Sequence, residues 1–233
     1  MAEAARLPLY IQIAEMLIRE IAAGHLPEGT RLPAERDMAA ELGISVGTLR
    51  KALAELDRKG LLARVQGSGN YVKASGPVDS VYAFFRLELA GGGGLPTARV
   101  LDVARLDKPA GLPAFGASGQ AHRIRRLRLL GGQPAAVEEI WLDAARADRV
   151  AAADLSESLY LFYRQSLGFW IAAVEDRIGL DALPGWRPPE FPHPPGTLCG
   201  HVERRSTAND GQVAEVSRTW FDASTTRYVS RFT

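Results

Sequence analysis

Between Tyr10 and Val72 the spacing of apolar residues changes twice, and that change limits what the segment can build. Tyr10, Ile13, Ala14, Leu17, Ile18 and Ile21 recur at three- and four-residue steps, which puts one apolar stripe on a helix that Gly24 can end. Pro27, Gly29 and Pro33 then break the chain into a loop. Met38, Ala39 and Leu42 mark a short second helix closed by Gly43, and Ser45 is placed to cap a third that buries Leu49, Ala52, Leu53 and Leu56 before Gly60. After it, the period drops to that of strands. Leu61–Val65, the turn-forming 66–70 and Tyr71-Val72 read as a two-stranded ribbon. Two short helices joined by a tight turn with a ribbon behind them describe a winged helix-turn-helix.

Charge supports a nucleic-acid partner for this segment, although the chain of 233 residues carries a formal net charge of only +1. Residues 1–42 hold four Lys/Arg against seven Asp/Glu, whereas residues 43–73 hold six against two. A local basic excess steers DNA because screening confines such fields to about 10 Å. The competing reading, charges that only solvate helix faces, is the common role of a charge run.

The residues themselves resemble the GntR family of bacterial regulators. Leu32-Pro33-Ala34-Glu35-Arg36-Asp37-Met38-Ala39, then Gly43-Ile44-Ser45-Val46-Gly47-Thr48-Leu49-Arg50-Lys51-Ala52-Leu53, then Gly60-Leu61 and Gln66-Gly67-Ser68-Gly69-Asn70-Tyr71-Val72 follow the family's motifs in order and spacing over residues 7–73. The resemblance implies that Arg36, Ser45, Gly47, Thr48 and Arg50 face DNA and that Gln66 and Gly67 lead the wing toward a minor groove. Val46 stands where many relatives place an arginine. It cannot fork onto a guanine but can meet a thymine methyl, so base preference should differ. Arg36 and Arg50 paired with neighbouring acids is the alternative.

Beyond a small, polar stretch at 74–80 the pattern is of strands: 99–105, 121–130, 135–142, 169–180, 197–206, 213–221 and 227–232. Gly131-Gly132 and Asn209-Asp210-Gly211 lie where hairpins turn. Helices are few, at 148–153 and 158–167, and Pro184–Pro195 reads as an extended loop. Hairpins with scattered helices imply a largely antiparallel α+β domain. The domains expected are 1–73 for DNA, a linker at 74–83 and 84–233 for the second. The glycine run 91–94 lacks the Lys-Ser/Thr sequel of a phosphate loop and reads as a loop over a ligand or a surface turn.

Residues 123–139, Ser158-Leu159-Tyr160 and Gly211–Glu215 with Trp220-Phe221 resemble the UTRA effector domain of the HutC-like branch of these regulators. The resemblance implies a chorismate-lyase-like fold that binds a small acidic metabolite, with Thr97, Arg126, Arg128, Glu138, Ser158, Glu215 and Phe221 about the ligand. Two-residue spacing independently puts Arg126 and Arg128 on one strand face, where adjacent guanidiniums need an anion such as a phosphate, phosphonate or carboxylate. A surface salt-bridge ladder is the alternative. It fits Arg123 and Arg125 on the opposite face.

The hairpin leaves two registers. A two-residue Gly131-Gly132 turn pairs Arg126 with Val137; a three-residue Gly131-Gly132-Gln133 loop pairs it with Glu138, and the resemblance favours the longer loop.

No nucleophile–base pair supports an enzyme, and 233 residues are too few for the aminotransferase-like branch of the family. His193, Cys199 and His201 are a poor metal set without a fourth ligand, so no metal or cofactor is expected. One cysteine, no leader-like N-terminus and no apolar span fit a cytoplasmic protein. The expectation is a transcription regulator, a repressor, that binds a near-palindromic double-stranded operator as a homodimer and answers to a small anion.

Overall fold

The computed structural model describes residues 7–22, 24–73, 82, 84–92 and 94–231. These divide into two compact units, Leu7–Phe85 and Arg86–Val229. Most of the expected linker, 74–81 and 83, lies outside the described residues, as do Gly93 of the glycine run and Phe232 of the last strand candidate.

In the first unit, α1 (Leu9–Ala22), α2 (Glu35–Glu41) and α3 (Val46–Arg58) precede β1 (Leu62–Val65) and β2 (Gly69–Val72). The stripe on α1 buries Ile13, Ala14, Leu17 and Ile18 against Leu49, Ala52, Leu53 and Leu56 of α3. Such apolar burial contributes about 25 cal/mol per Å² and holds the helices at their mutual angle. Ser45 caps α3, its Oγ accepting from Thr48 N at 3.1 Å. The ribbon pairs Leu62 with Val72 and Val65 with Gly69, and Arg31 adds a single bridge to Tyr71.

The second unit is built on one antiparallel sheet with the order β4-β5-β6-β9-β8-β7. Its strands are β4 (Pro96–Asp107), β5 (Gln120–Leu130), β6 (Gln133–Asp143), β7 (Ile171–Ala182), β8 (Leu198–Ala208) and β9 (Val213–Phe221). A separate ribbon pairs β3 (Leu87–Leu89) with β10 (Thr226–Tyr228). Between β6 and β7 the chain makes two 3₁₀ turns, at 144–146 and 152–154, then α4 (Leu159–Phe162) and a single π turn at 163–167. The helix expected at 148–153 is therefore only a 3₁₀ turn. Gly168, at φ 74°, ends the π turn in the left-handed region where a Cβ would be strained.

The β5–β6 hairpin corrects the sequence reading. Leu130 pairs with Gln133, so the loop is the two-residue Gly131-Gly132 turn, both residues at positive φ. Arg126 nevertheless pairs with Glu138, because the register shifts between Arg128↔Ala136 and Leu129↔Pro134 and leaves Ala135 as an extra residue. The pairing was expected; its cause is a bulge in the strand instead of a longer loop.

The two sheet faces do different work. One packs Leu127, Val137, Cys199 and Trp220 under Leu183, just before the proline-rich loop, and Phe191 within it. Arg125 lies on this side, its Cζ 4.7 Å from the Trp186 ring centre and its guanidinium on Glu139. The other face carries Arg126, Arg128 and Glu138.

Candidate functional site

Arg126 and Arg128 are almost fully buried, 4% and 5% exposed, and close on one carboxylate. Arg126 gives Nε and Nη2 to Glu138 Oε2 at 3.1 and 2.7 Å, while Arg128 gives Nε to Oε1 at 3.0 Å. Both also reach into the loop before α4, with Nη1 donating to the Glu157 carbonyl at 3.3 Å from Arg126 and 2.9 Å from Arg128. Burial alone would push the Glu138 carboxyl up; the two guanidiniums outweigh it, hold the acid below its usual range and keep it ionised. One anion is thus already held between two cations, inside the fold.

Next to this cluster lies a second acid with the opposite behaviour. Glu215 on β9 accepts from Tyr163 Oη and, at 3.1 Å, from Ser206 Oγ of the neighbouring strand. Tyr160 Oη meets Ser206 Oγ at 2.8 Å. Burial raises the Glu215 carboxyl more than these bonds and the guanidiniums of Arg126 and Arg204 lower it. It also raises the Tyr160 hydroxyl to about 12. Beyond Tyr160, Arg204 forks onto Asp176 with two contacts of 2.6 Å, and Tyr228 of β10 donates to the same carboxylate.

The other expected residues fall into place unevenly. Phe221 pairs with Ala136 and Gly200 on the arginine face, and its ring covers Gly200 so closely that a Cβ there would lie 2.3 Å from it. Ser158 is buried and spends its Oγ on capping α4, accepting from Leu161 N at 3.3 Å. Thr97 is not brought to the cluster: it pairs with Leu129, and partners in an antiparallel ladder share a face, so it belongs to the side away from Arg128. His201 sits on that same side against Trp220, at 5.1 Å between rings, and His193 pairs with Asp222 at 3.2 Å. Sequence reasoning missed the Glu157 carbonyl, Ser206, Arg204 and Asp176, and gave Tyr160 and Tyr163 no role at the site.

In the first unit Arg36, Ser45, Gly47, Arg50, Gln66 and Gly67 are exposed, and Thr48 is half-buried. Val46 is half-buried too and leans on the domain core, which leaves less of it to meet a base than its sequence position implies. Arg50 Nε is bonded to Glu35. The start of α2 and the wing enclose a concave surface that includes Arg31, Glu35, Arg64, Gln66 and Gly67. Arg31 was not foreseen; its guanidinium lies 3.4 Å from where a Cβ on Gly69 would sit, against the wing backbone.

An exposed basic helix face beside a glycine-tipped wing is the arrangement of a DNA-binding helix-turn-helix. Residues 9–72 match the model of bacterial regulatory proteins of the gntR family, and residues 92–227 match the UTRA domain. The chain belongs to the GntR family, with a UTRA domain. It is 62% identical to the HTH-type transcriptional regulator SmoD of Agrobacterium fabrum across 97% of this chain and 96% of that one. The repressor NagR of Bacillus subtilis is 31% identical over 66% of this chain and 65% of its own. A histidine utilization repressor of Pseudomonas putida shares 43% over 28% of the chain and 26% of its own. The gntR-type first domain joined to a UTRA domain puts the regulator in the HutC-like branch. Among solved structures the fold resembles YydK of Bacillus subtilis, with TM-score 0.53 and 18% identity over 97% of this chain and all of that one. It also resembles the ligand-binding domain of a GntR-family regulator from Bordetella bronchiseptica, with TM-score 0.55 and 21% identity over 64% of this chain and 98% of that one. Such relatives are regulators of transcription and not enzymes. Among the described residues no helix is long and apolar enough to cross a membrane.

Proposed function

We propose that this regulator is a cytoplasmic repressor whose affinity for a near-palindromic operator is controlled by a small anionic metabolite bound at Arg126 and Arg128. One observation carries the reading: two buried guanidiniums share a single internal carboxylate on the sheet face away from the proline-rich loop. A ligand phosphate, phosphonate or carboxylate would take guanidinium forks from Glu138 and draw on the same charge-assisted bonds. Glu138 and Glu215 would then receive ligand hydroxyls or amines, with Phe221 as an apolar wall. The relatives named as repressors support the sign of control, and the two-fold logic of helix-turn-helix operators supports a homodimer.

DNA contacts fall to Arg36, Thr48, Arg50, Gln66 and Gly67, with Ser45 and Gly47 at the exposed start of α3 and Arg31 beside the wing. The test is a titration of operator DNA with and without candidate anions, on wild type and on Arg126→Ala with Arg128→Ala. Losing several charge-assisted bonds of about 1.5–3 kcal/mol each weakens ligand binding by orders of magnitude, while operator affinity stays within a few-fold. A double variant that still responds at wild-type ligand concentrations would falsify the assignment of the site.

A further inference from the structure

A row of polar groups crosses the sheet from the arginine cluster to its last strand. The ladder registers put Arg126 of β5, Glu215 of β9, Ser206 and Arg204 of β8 and Asp176 of β7 on the same face. Ser206 and Glu215 are fully buried, and Arg204 and Asp176 nearly so. At the far end stands the β3–β10 ribbon. Tyr228 of β10 donates to Asp176, and Arg86, the residue before β3, brings a positive charge to both of them. Arg86 is also where the chain enters this unit, directly after Phe85 of the first.

While Glu215 is ionised, the protons in this row can point only one way. Ser206 donates to Glu215 Oε1. Its single hydroxyl proton is then committed, so Tyr160 Oη is the donor in its 2.8 Å contact with Ser206. Tyr160 in turn accepts from Arg204, a side chain that can only donate. Arg204 directs Nε and Nη2 at Asp176, both at 2.6 Å. A buried ion pair of this kind adds little stability, since apolar residues of similar volume often do as well or better. What the row has is two arrangements. A hydroxyl that loses its acceptor turns its proton elsewhere, and each bond in a chain polarises the next.

We infer that Arg204, Asp176 and Tyr228 are positioning residues that couple the Arg126–Arg128 site to the β3–β10 ribbon, and so to the chain that enters the unit at Arg86. The inference rests on the anion reading of that site and adds its route of transmission. An anion that takes Arg126 from Glu138 leaves less positive charge acting on Glu215, which is then easier to protonate and accepts fewer bonds. A ligand hydroxyl on Glu215 displaces Ser206 directly. Either event withdraws the acceptor at the head of the row. Arg204, held between Tyr160 and Asp176, shifts toward the carboxylate, and Tyr228 shares that carboxylate with it. The ribbon moves with Tyr228 because Leu87 of β3 is its ladder partner. Coupling of this sort is reciprocal, so a change at the ribbon end is felt by the arginines as well.

The experiment is hydrogen exchange on the full chain, read at the amides of Ala90 and Val229, which close the ribbon on the Thr225 and Arg86 carbonyls. Two perturbations are applied at the other end: Glu138→Gln, which removes the charge the arginines share and keeps an acceptor, and inorganic phosphate added to wild type. Amides of the β5–β6 ladder report global stability and serve as the control. Glu138→Gln should change ribbon exchange about fivefold or more beyond that control, and phosphate should act on the same amides. Tyr228→Phe, which removes one hydroxyl and keeps the ring, should cut either change to about twofold or less. The same variant should bind phosphate, and operator DNA in its absence, within about twofold of wild type, but its operator affinity should no longer answer to phosphate. A Tyr228 that is only structural gives the reverse, a looser ribbon with the response intact. Ribbon amides that ignore Glu138→Gln, or a change that survives in Tyr228→Phe, would overturn the inference. Failure of the anion reading looks different. A wild type that does not bind phosphate, with a ribbon that still answers to Glu138→Gln through Tyr228, removes that reading and keeps the coupling. Phosphate that alters operator affinity while the ribbon stays unchanged removes the coupling and leaves the regulator reading standing.

Discussion

Arg50 Nε donates to Glu35 Oε2 at 2.6 Å, joining the exposed side of α3 to the first turn of α2. Arg50 is 66% exposed at its side chain, so the pair contributes little to stability. Its effect is on direction. Because Glu35 engages Nε, the two terminal nitrogens remain donors for another acceptor, and the carboxylate limits the rotamers that DNA binding would otherwise have to freeze. The ion pair and the DNA contact, which were rival readings of Arg50, are compatible.

Arg50→Ala is therefore expected to cost about 1–3 kcal/mol in operator affinity. Glu35→Gln keeps a weaker acceptor and should cost several-fold at most. Fluorescence anisotropy at one fixed salt concentration measures both. If Glu35→Gln loses as much as Arg50→Ala, Glu35 has a role of its own at the interface.

Removing Glu138 should be costly in the absence of ligand. Glu138→Ala leaves two buried guanidiniums without their shared counter-charge, and breaking a buried pair from one side destabilises by about 3–5 kcal/mol. Thermal unfolding should show that loss, with partial recovery on adding inorganic phosphate to the variant. A melting temperature equal to that of wild type would mean that water reaches the cluster.

Glu215 sets a pH trend. Its folded carboxyl is raised above the ordinary value of 4.5, chiefly by burial, so just above that pH the unfolded chain has released a proton that the folded chain keeps. The unfolded state then binds fewer protons, and stability falls as pH climbs from 4.5 through the raised folded value. Glu138, held low, acts in the reverse sense: its contribution is present above 4.5 and lost as pH falls below it. Glu215→Gln keeps an acceptor for Tyr163 and Ser206 and should flatten the decline on the alkaline side. Chemical denaturation at several pH values checks it; an unaltered slope would remove Glu215 as the source.

Gly200→Ala should unfold at lower temperature than wild type, because its Cβ would meet the Phe221 ring at 2.3 Å and ring or strand must shift. Overpacking of this kind costs about 1–3 kcal/mol. Phe221→Ala in the same chain should restore part of the loss, and strict additivity of the two changes would place the ring elsewhere.

The first unit was legible because its signals are local: stripe spacing on α1, a cap at Ser45, and glycines where the chain turns. Strands of the second unit were legible too, each within a few residues. What escaped was long-range. Glu215 and Ser206 are partners only because β8 and β9 are aligned by a hairpin that carries its own register shift. No local spacing links Arg204 to Asp176, which lie 28 positions apart and meet through the β7–β8 ladder. Thr97 shows the same limit from the other side, since the β4–β5 register decides its face.

Ala135 gives the β5–β6 hairpin a definite phase. Arg125 and Arg126 are neighbours in sequence, yet one stacks on Trp186 and the other closes on Glu138. Without the extra residue, the two-residue turn would set Arg126 opposite Val137 and bring Glu139 to the arginine face. Chain length in this stretch is therefore under a parity constraint: deleting one residue between Gln133 and Ala136 would exchange the acid that meets the arginines, whereas substitutions at the same places would not. Hairpins grafted between members of the family should be matched in length on both sides of the turn before they are matched in composition.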